Sequence, residues 1–90
     1  MDITTGHMMD DATVRQIAEN LIGINQQKIE DDVVHMVEKA NTLYAHHAAK
    51  AVVNMNTEQF FYHYNISNVW LTVVDVLTER YLKNISTLPQ

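Results

Sequence analysis

The scarcity of turn-forming residues constrains the fold of this chain more than any other sequence feature. Its 90 residues include two Gly and one Pro, and that proline, Pro89, is second from the end. Gly and Pro supply the backbone angles of most turns, so the chain is not rich in loops. Hydrophobic residues make up 47% of the sequence, which excludes an intrinsically disordered chain. The sequence therefore predicts an all-α fold.

Apolar residues at helical spacing predict a first helix from about Asp11 to Ile22. Asp10 or Asp11 supplies the carboxylate that caps the free amides of its first turn. Gly23 fits the left-handed conformation that ends many helices. We therefore expect the helix to stop before Gly23, with Ile24 as the apolar contact at that end.

The residues ahead of this helix, 1–9, lack apolar periodicity and are expected to form a flexible tail. Gly6-His7-Met8 also resembles a cloning remnant, in which case the native start is Met8 or Met9. Residues 10–90 are expected to form a single helical domain, since a chain of 90 residues has the length of one domain.

A second helix is predicted from about Lys28 to Asn54. One row of apolar residues along this helix is interrupted at His47. We expect His47 to be a hydrogen-bonded residue at the edge of the core. A neighbouring seam continues the apolar pattern through Val37, Tyr44, Ala48, Ala51, Val52 and Met55. Such drift is typical of a straight helix in a bundle and not of an extended coiled coil.

A third helix is predicted to start near Thr57, with Asn56 as its N-cap, and to reach Lys83. Asn65 and Ser67 both favour the start of a helix, so the third helix either runs unbroken or breaks there, which would give four helices. The second helix alone would be about 40 Å long, whereas a compact chain of this size has a radius of gyration near ~12 Å. We therefore expect an elongated chain, in which the second and third helices form a long antiparallel hairpin and the first packs against one end.

The second half of the third helix is apolar around most of its circumference. Its polar residues form one narrow stripe: Asn68, Thr72, Asp75, Glu79 and Lys83. A helix with one partner needs an apolar face of only a little over about 100°. Two short neighbours would hardly cover the rest, which predicts a two-fold symmetric dimer that forms a helical bundle. The alternative is that the first helix covers it.

The charge pattern and the missing residue types exclude several classes of function. The net charge is −5, and residues 1–34 hold seven acidic residues against two basic ones, which argues against direct nucleic-acid binding and permits a basic protein partner. There is no cysteine, no visible signal peptide and no membrane-spanning stretch, so a cytoplasmic protein without membrane contact is expected. No Gly-rich phosphate loop and no Gly-flanked nucleophile occur, so neither catalysis nor a cofactor is expected.

The leading hypothesis is a small intracellular homodimer that binds another protein, as a regulator, adaptor or inhibitor. Aromatic side chains are common anchors of protein interfaces. The predicted contact residues are therefore Phe60, Phe61, Tyr62 and Tyr64. Phe60, Phe61 and Tyr64 share one helix face, while Tyr62 and His63 point elsewhere. Three acidic residues are predicted to steer a basic partner: Glu30, Asp31 and Asp32.

Two alternatives stay open at the level of the sequence. Asp32 and His35 have the carboxylate-x-x-His spacing of metal sites in helical bundles, and with His63 they would form a metal- or ligand-binding site. The acidic residues could instead mimic a nucleic acid and make the chain a decoy for a nucleic-acid-binding protein.

Overall fold

The computed structural model describes residues 7–82, and every regular element among them is a helix. Helix α1 spans Asp11–Ile24, α2 spans Gln26–Asp31, α3 spans Val33–Val53 and α4 spans Gln59–Leu77. A π-helical turn, Thr78–Leu82, continues α4. The predicted all-α fold is confirmed. The described residues form four α-helices, but the division falls within the predicted second helix and not within the third.

Helix α4 lies between α1 and α3. Helix α3 runs antiparallel to α4, since His47 meets His63 near one end and Gln26, in α2, meets Tyr81 near the other. Helix α1 runs parallel to α4, since Glu19 in its second half forms an ion pair with Arg80 at 2.8 Å. The chain measures 48 × 25 × 20 Å, with a radius of gyration of 14.3 Å. Helices α3 and α4 therefore form an antiparallel pair, and α1 packs alongside α4.

The start of α1 follows the prediction, but its end does not. The Asp10 carboxylate accepts a hydrogen bond from the Thr13 amide at 2.7 Å, which caps the helix. The prediction that Gly23 ends the helix is wrong, because the helix continues to Ile24. Asn25 ends it instead, and its side-chain amide donates to the Leu21 carbonyl at 2.8 Å. Ile24 is 79% exposed, so it makes no apolar contact of the kind expected.

The prediction of one long second helix is also wrong, because the chain breaks at Asp32. Asp32 has an extended backbone (φ −158°, ψ 84°), and its side chain accepts a hydrogen bond from the His35 amide at 3.0 Å. A short acidic side chain stabilises the start of a helix better than its interior, so Asp32 begins α3. Glu30 and Asp31 consequently end α2 instead of forming the first turn of a longer helix.

Helix α4 is capped by a different residue from the one predicted and does not break. The Thr57 hydroxyl, not Asn56, accepts a hydrogen bond from the Gln59 amide at 3.2 Å and donates to the Asn54 carbonyl at 3.0 Å. The helix runs unbroken through Asn65 and Ser67, both of which are buried. The predicted end at Lys83 lies outside the described residues.

The hydrophobic core is built between α4 and the other helices. Its buried members are Val14, Ala18, Ile22, Ile29, Ala40, Val69, Val73, Val76 and Leu77. Trp70 and Val74 are half-buried and pack against this cluster. Within one chain, the other helices thus bury Val69, Val73, Val76 and Leu77 of this half of α4, while Leu71 stays 36% exposed. The dimer stays a prediction.

Within residues 7–82, no helix combines the length and the apolar character needed to cross a membrane.

Candidate functional site

Helix α4 presents three different faces along its length. Residues Asn65, Thr72 and Val76 face the N-terminal segment and α1: Met9 reaches Asn65, while Val14 shares a groove with Thr72 and Val76. Residues His63, Trp70 and Leu77, spaced by seven, face α3 and α2. Residues Phe60, Tyr64 and Leu71 form a third face, about 120° from the first.

Helix α3 likewise has one flank towards α1 and one flank away from it. Met36 and Lys39 line an apolar cavity of about 60 Å³ together with Leu21 and Ile22 of α1, so this flank of α3 looks towards α1. The opposite flank carries the second apolar seam predicted from the sequence. We call the surface formed by this flank and the third face of α4 the open face; its residues are Val34, Val37, Tyr44, Ala48, Val52, Met55, Phe60, Tyr64 and Leu71.

The open face is apolar and only partly covered. Val34, Val52 and Met55 are 53%, 64% and 59% exposed, and Leu71 is 36% exposed. The other members are half-buried. No charged residue occurs among them, although the exposed polar residue Asn41 lies on the same flank of α3, seven residues from both Val34 and Ala48. An apolar strip of this length on a single chain is typical of a surface that binds another protein.

The aromatic residues divide as the sequence predicted. The rings of Phe60 and Tyr64 stack at 5.4 Å, and Phe61 meets Phe60 edge to face at 5.1 Å. Tyr62 instead meets His63 edge to face at 5.0 Å. All four predicted contact residues are half-buried, so each keeps part of its ring accessible.

The seam between α3 and α4 contains an unexpected pair of histidines. The Nδ1 atoms of His47 and His63 lie 3.1 Å apart, and their ring centroids are 5.3 Å apart. A hydrogen bond between two such nitrogens needs one donor and one acceptor, so at least one ring is neutral. The prediction that His47 is a hydrogen-bonded residue at the core edge is confirmed. Its partner could not be identified without the register of α3 against α4.

The surroundings favour the neutral form of both rings. Burial lowers the pKa of His47 below its ordinary value, and the positive charges of His46, His63 and Lys50 lower it further. Burial also lowers the pKa of His63, with additional effects of Lys50 and His46. The surroundings therefore disfavour the charged form of both imidazoles.

The predicted acidic residues lie far from the aromatic ones. Glu30, Asp31 and Asp32 are exposed at the junction of α2 and α3. Helix α3, with 21 residues, spans about 30 Å between this junction and the aromatic segment. The structure therefore does not bring the two predicted groups of contact residues together.

The predicted metal-ligand set is not assembled. Asp32 uses its carboxylate on the His35 amide, and His63 lies beside His47, near the other end of α3. In the part of the chain from His7 to Leu82, no three or more His, Asp or Glu side chains converge on a common point that could hold a metal ion. The set of Asp32, His35 and His63 is therefore wrong as a site, because its members stand on different ends of the hairpin.

Asn65 has a role that the sequence did not reveal. It is fully buried, its side-chain oxygen accepts a hydrogen bond from the Met9 amide at 3.0 Å, and its side-chain nitrogen donates to the His7 carbonyl at 2.9 Å. The segment that leads into α1 is thus held against α4. The available signal is a polar residue in a largely apolar and aromatic helix, but the same signal also fits the start of a new helix.

Comparison with protein-family models, with curated proteins and with solved structures gives no match.

Proposed function

We propose that this chain is a protein-binding module of the cytoplasm that acts as a homodimer and not as an enzyme. Two copies would pack through their open faces, so that the two α3–α4 hairpins form a four-helix bundle with α1 of each copy on the outside. The observation that carries this proposal is the exposure of Val34, Val52 and Met55 along one continuous apolar strip.

The size of the open face agrees with a stable but modest interface. From Val34 to Met55 the strip is about 30 Å long, and two helices side by side are about 20 Å wide. Each copy would therefore bury on the order of 600 Å², or about 1,200 Å² in total, which is the lower end for specific complexes. We expect the dimer to dissociate measurably on dilution.

The character of the open face favours a second copy as its occupant. Under two-fold symmetry the same surface meets itself, so a charge near the axis would face a like charge and a charge elsewhere would be buried against an apolar residue of the other copy. The open face carries no charged residue, although the chain as a whole has a net charge of −5. An apolar strip without charge can pack on its own copy without any repulsion.

The dimer would leave two other surfaces free for a further protein partner, with the chain serving as a regulator, adaptor or inhibitor. Tyr62 lies off the open face, beside His63. Glu30 and Asp31 lie at the far end of the hairpin, where their exposed carboxylates would attract a basic surface. Tyr62 and these acidic residues would keep the role of partner contacts, whereas Phe60 and Tyr64 would belong to the dimer interface.

Substitution of Val52 by Asp tests this proposal. A carboxylate at position 52 would be buried in an apolar interface without a partner, so Val52→Asp is expected to be monomeric at concentrations where the wild type is dimeric. Val53→Asp is the matched control: Val53 is even more exposed, at 82%, but lies about 100° round the helix, on the flank with His46 and Lys50. Sedimentation velocity of both variants, with circular dichroism to confirm folding, separates the cases. A dimeric Val52→Asp, or an equal loss of the dimer in Val53→Asp, would reject the open face as the interface.

A further inference from the structure

The His47–His63 pair has the spacing of two ligands of one metal ion. The Nδ1 atoms lie 3.1 Å apart. Zinc–nitrogen bonds of about 2.0–2.1 Å place two ligand nitrogens about 3.3–3.4 Å apart at a tetrahedral angle, and about 2.9 Å apart at a right angle. The observed distance lies between these values. Rotations that move each ring by a few tenths of an ångström would therefore admit an ion.

We propose that His47 and His63 bind a divalent transition-metal ion of the kind that imidazole selects, such as Zn²⁺. The two Nδ1 atoms supply two ligands, and water completes the coordination sphere. The ring that donates from Nδ1 in the hydrogen-bonded pair transfers that proton to its own Nε2 through solvent. Both Nδ1 lone pairs then face the ion, and no proton is released.

The position of the pair makes it suited to chelation. The two residues stand on antiparallel helices, so one ion would link α3 to α4 and restrain both. Both rings are half-buried, which keeps a path for the ion and its waters open. His47 lies on the same flank of α3 as Met36 and Lys39. This flank faces away from the open face. The metal site and the proposed dimer are therefore independent of one another.

The positive charge of Lys50 opposes binding of the ion, so a substitution of Lys50 provides a second test of the site. Lys50 is close enough to act on both imidazoles. Its ammonium group disfavours a cation at the same place, as it disfavours a proton. Lys50→Gln is therefore expected to tighten metal binding, whereas a site elsewhere on the chain would not respond.

Calorimetric titration of the full chain with Zn²⁺ near pH 7.5 tests the proposal. One ion is expected per chain, and His47→Ala and His63→Ala should each weaken binding by at least about tenfold, the lower end of what losing even an outer-shell partner costs. His35→Ala is the matched control, because His35 is an exposed histidine on the same helix, about 18 Å along α3 from His47. It should bind Zn²⁺ within about twofold of the wild type.

Two further measurements separate loss of the site from loss of the fold. His47→Gln keeps a polar side chain in the seam, and circular dichroism reports its folding; it too should lose the ion. In ¹⁵N spectra of the wild type, Zn²⁺ should shift the Nδ1 signals of His47 and His63 and leave that of His35 in place. Unchanged Zn²⁺ affinity in folded His47→Gln, or an equal loss in His35→Ala, would overturn the proposal, as would the absence of saturable binding. Binding should persist in monomeric Val52→Asp, so a failure of the dimer would not be mistaken for a failure of the site.

Discussion

Replacing Asp32 with Ala should destabilise the chain, although Ala is the better helix former. The Asp32 carboxylate accepts a hydrogen bond from the His35 amide at 3.0 Å, at the start of α3. Loss of such a cap costs about 1 kcal/mol, with a range of about 0.5–2 kcal/mol. For a domain of this size, 1 kcal/mol corresponds to a fall in melting temperature of about 4–8 °C.

The sign of the effect tests the break between α2 and α3. If residues 28–54 formed one helix, Asp32 would be an interior position, and Ala there would stabilise the chain by about 0.5 kcal/mol because of its higher helix propensity. The two structures therefore predict changes of opposite sign for one substitution.

Thermal and urea unfolding followed by circular dichroism would measure the difference. The protein concentration must be the same throughout, because a dimer unfolds at a temperature that depends on concentration. Asp32→Asn is the first control, since Asn caps as well as Asp, and it should keep most of the stability. Asp31→Ala is the second, since Asp31 caps nothing and accepts only from the Gln27 side chain, at 3.1 Å. An Asp32→Ala variant that is as stable as the wild type, or more stable, would refute the break at Asp32.

Two more predictions concern polar groups in the interior. Asn65→Ala removes the side chain that pairs with the Met9 amide and the His7 carbonyl. It should lower the free energy of unfolding, measured in urea, by about 1–3 kcal/mol and speed hydrogen exchange of the Met9 amide. Unchanged exchange would show that Asn65 does not hold this segment. Burial lowers the pKa of His47 and of His63 below 6.5 in the folded chain, so the unfolded chain binds protons first as the pH falls. In metal-free buffer, the free energy of unfolding should therefore be highest above about pH 7 and fall as the pH drops through 6.5. The fall should be smaller in His47→Gln. A urea midpoint that does not change with pH would contradict this.

The helical fold and the faces of its helices could be predicted because they depend on local spacing. The cap at Asp10 and the grouping of Phe60 with Tyr64 follow from positions a few residues apart. The break at Asp32 was not predictable in the same way, because a run of acidic residues suits the first turn of a helix as well as the cap before it. Which of the two applies depends on how α2 packs against the end of α4.

The contacts that define the candidate sites are the ones that spacing alone could not reveal. His47 and His63 come together only when the register between two antiparallel helices is known. Asn65 meets a segment 56 residues away in the sequence, so nothing near it indicates its partner. How much of α4 is covered likewise depends on where α1 docks. With α1 docked as it is, the uncovered apolar surface is the open face and not the whole second half of α4.

The solution mass, measured by light scattering over a wide range of concentrations, tests the proposed homodimer most directly. The proposal predicts a mass near twice 10.4 kDa at high concentration and a decline towards 10.4 kDa on dilution, because the estimated interface is of modest size. A mass of 10.4 kDa at every concentration would contradict it, since the open face would then remain uncovered in the free protein.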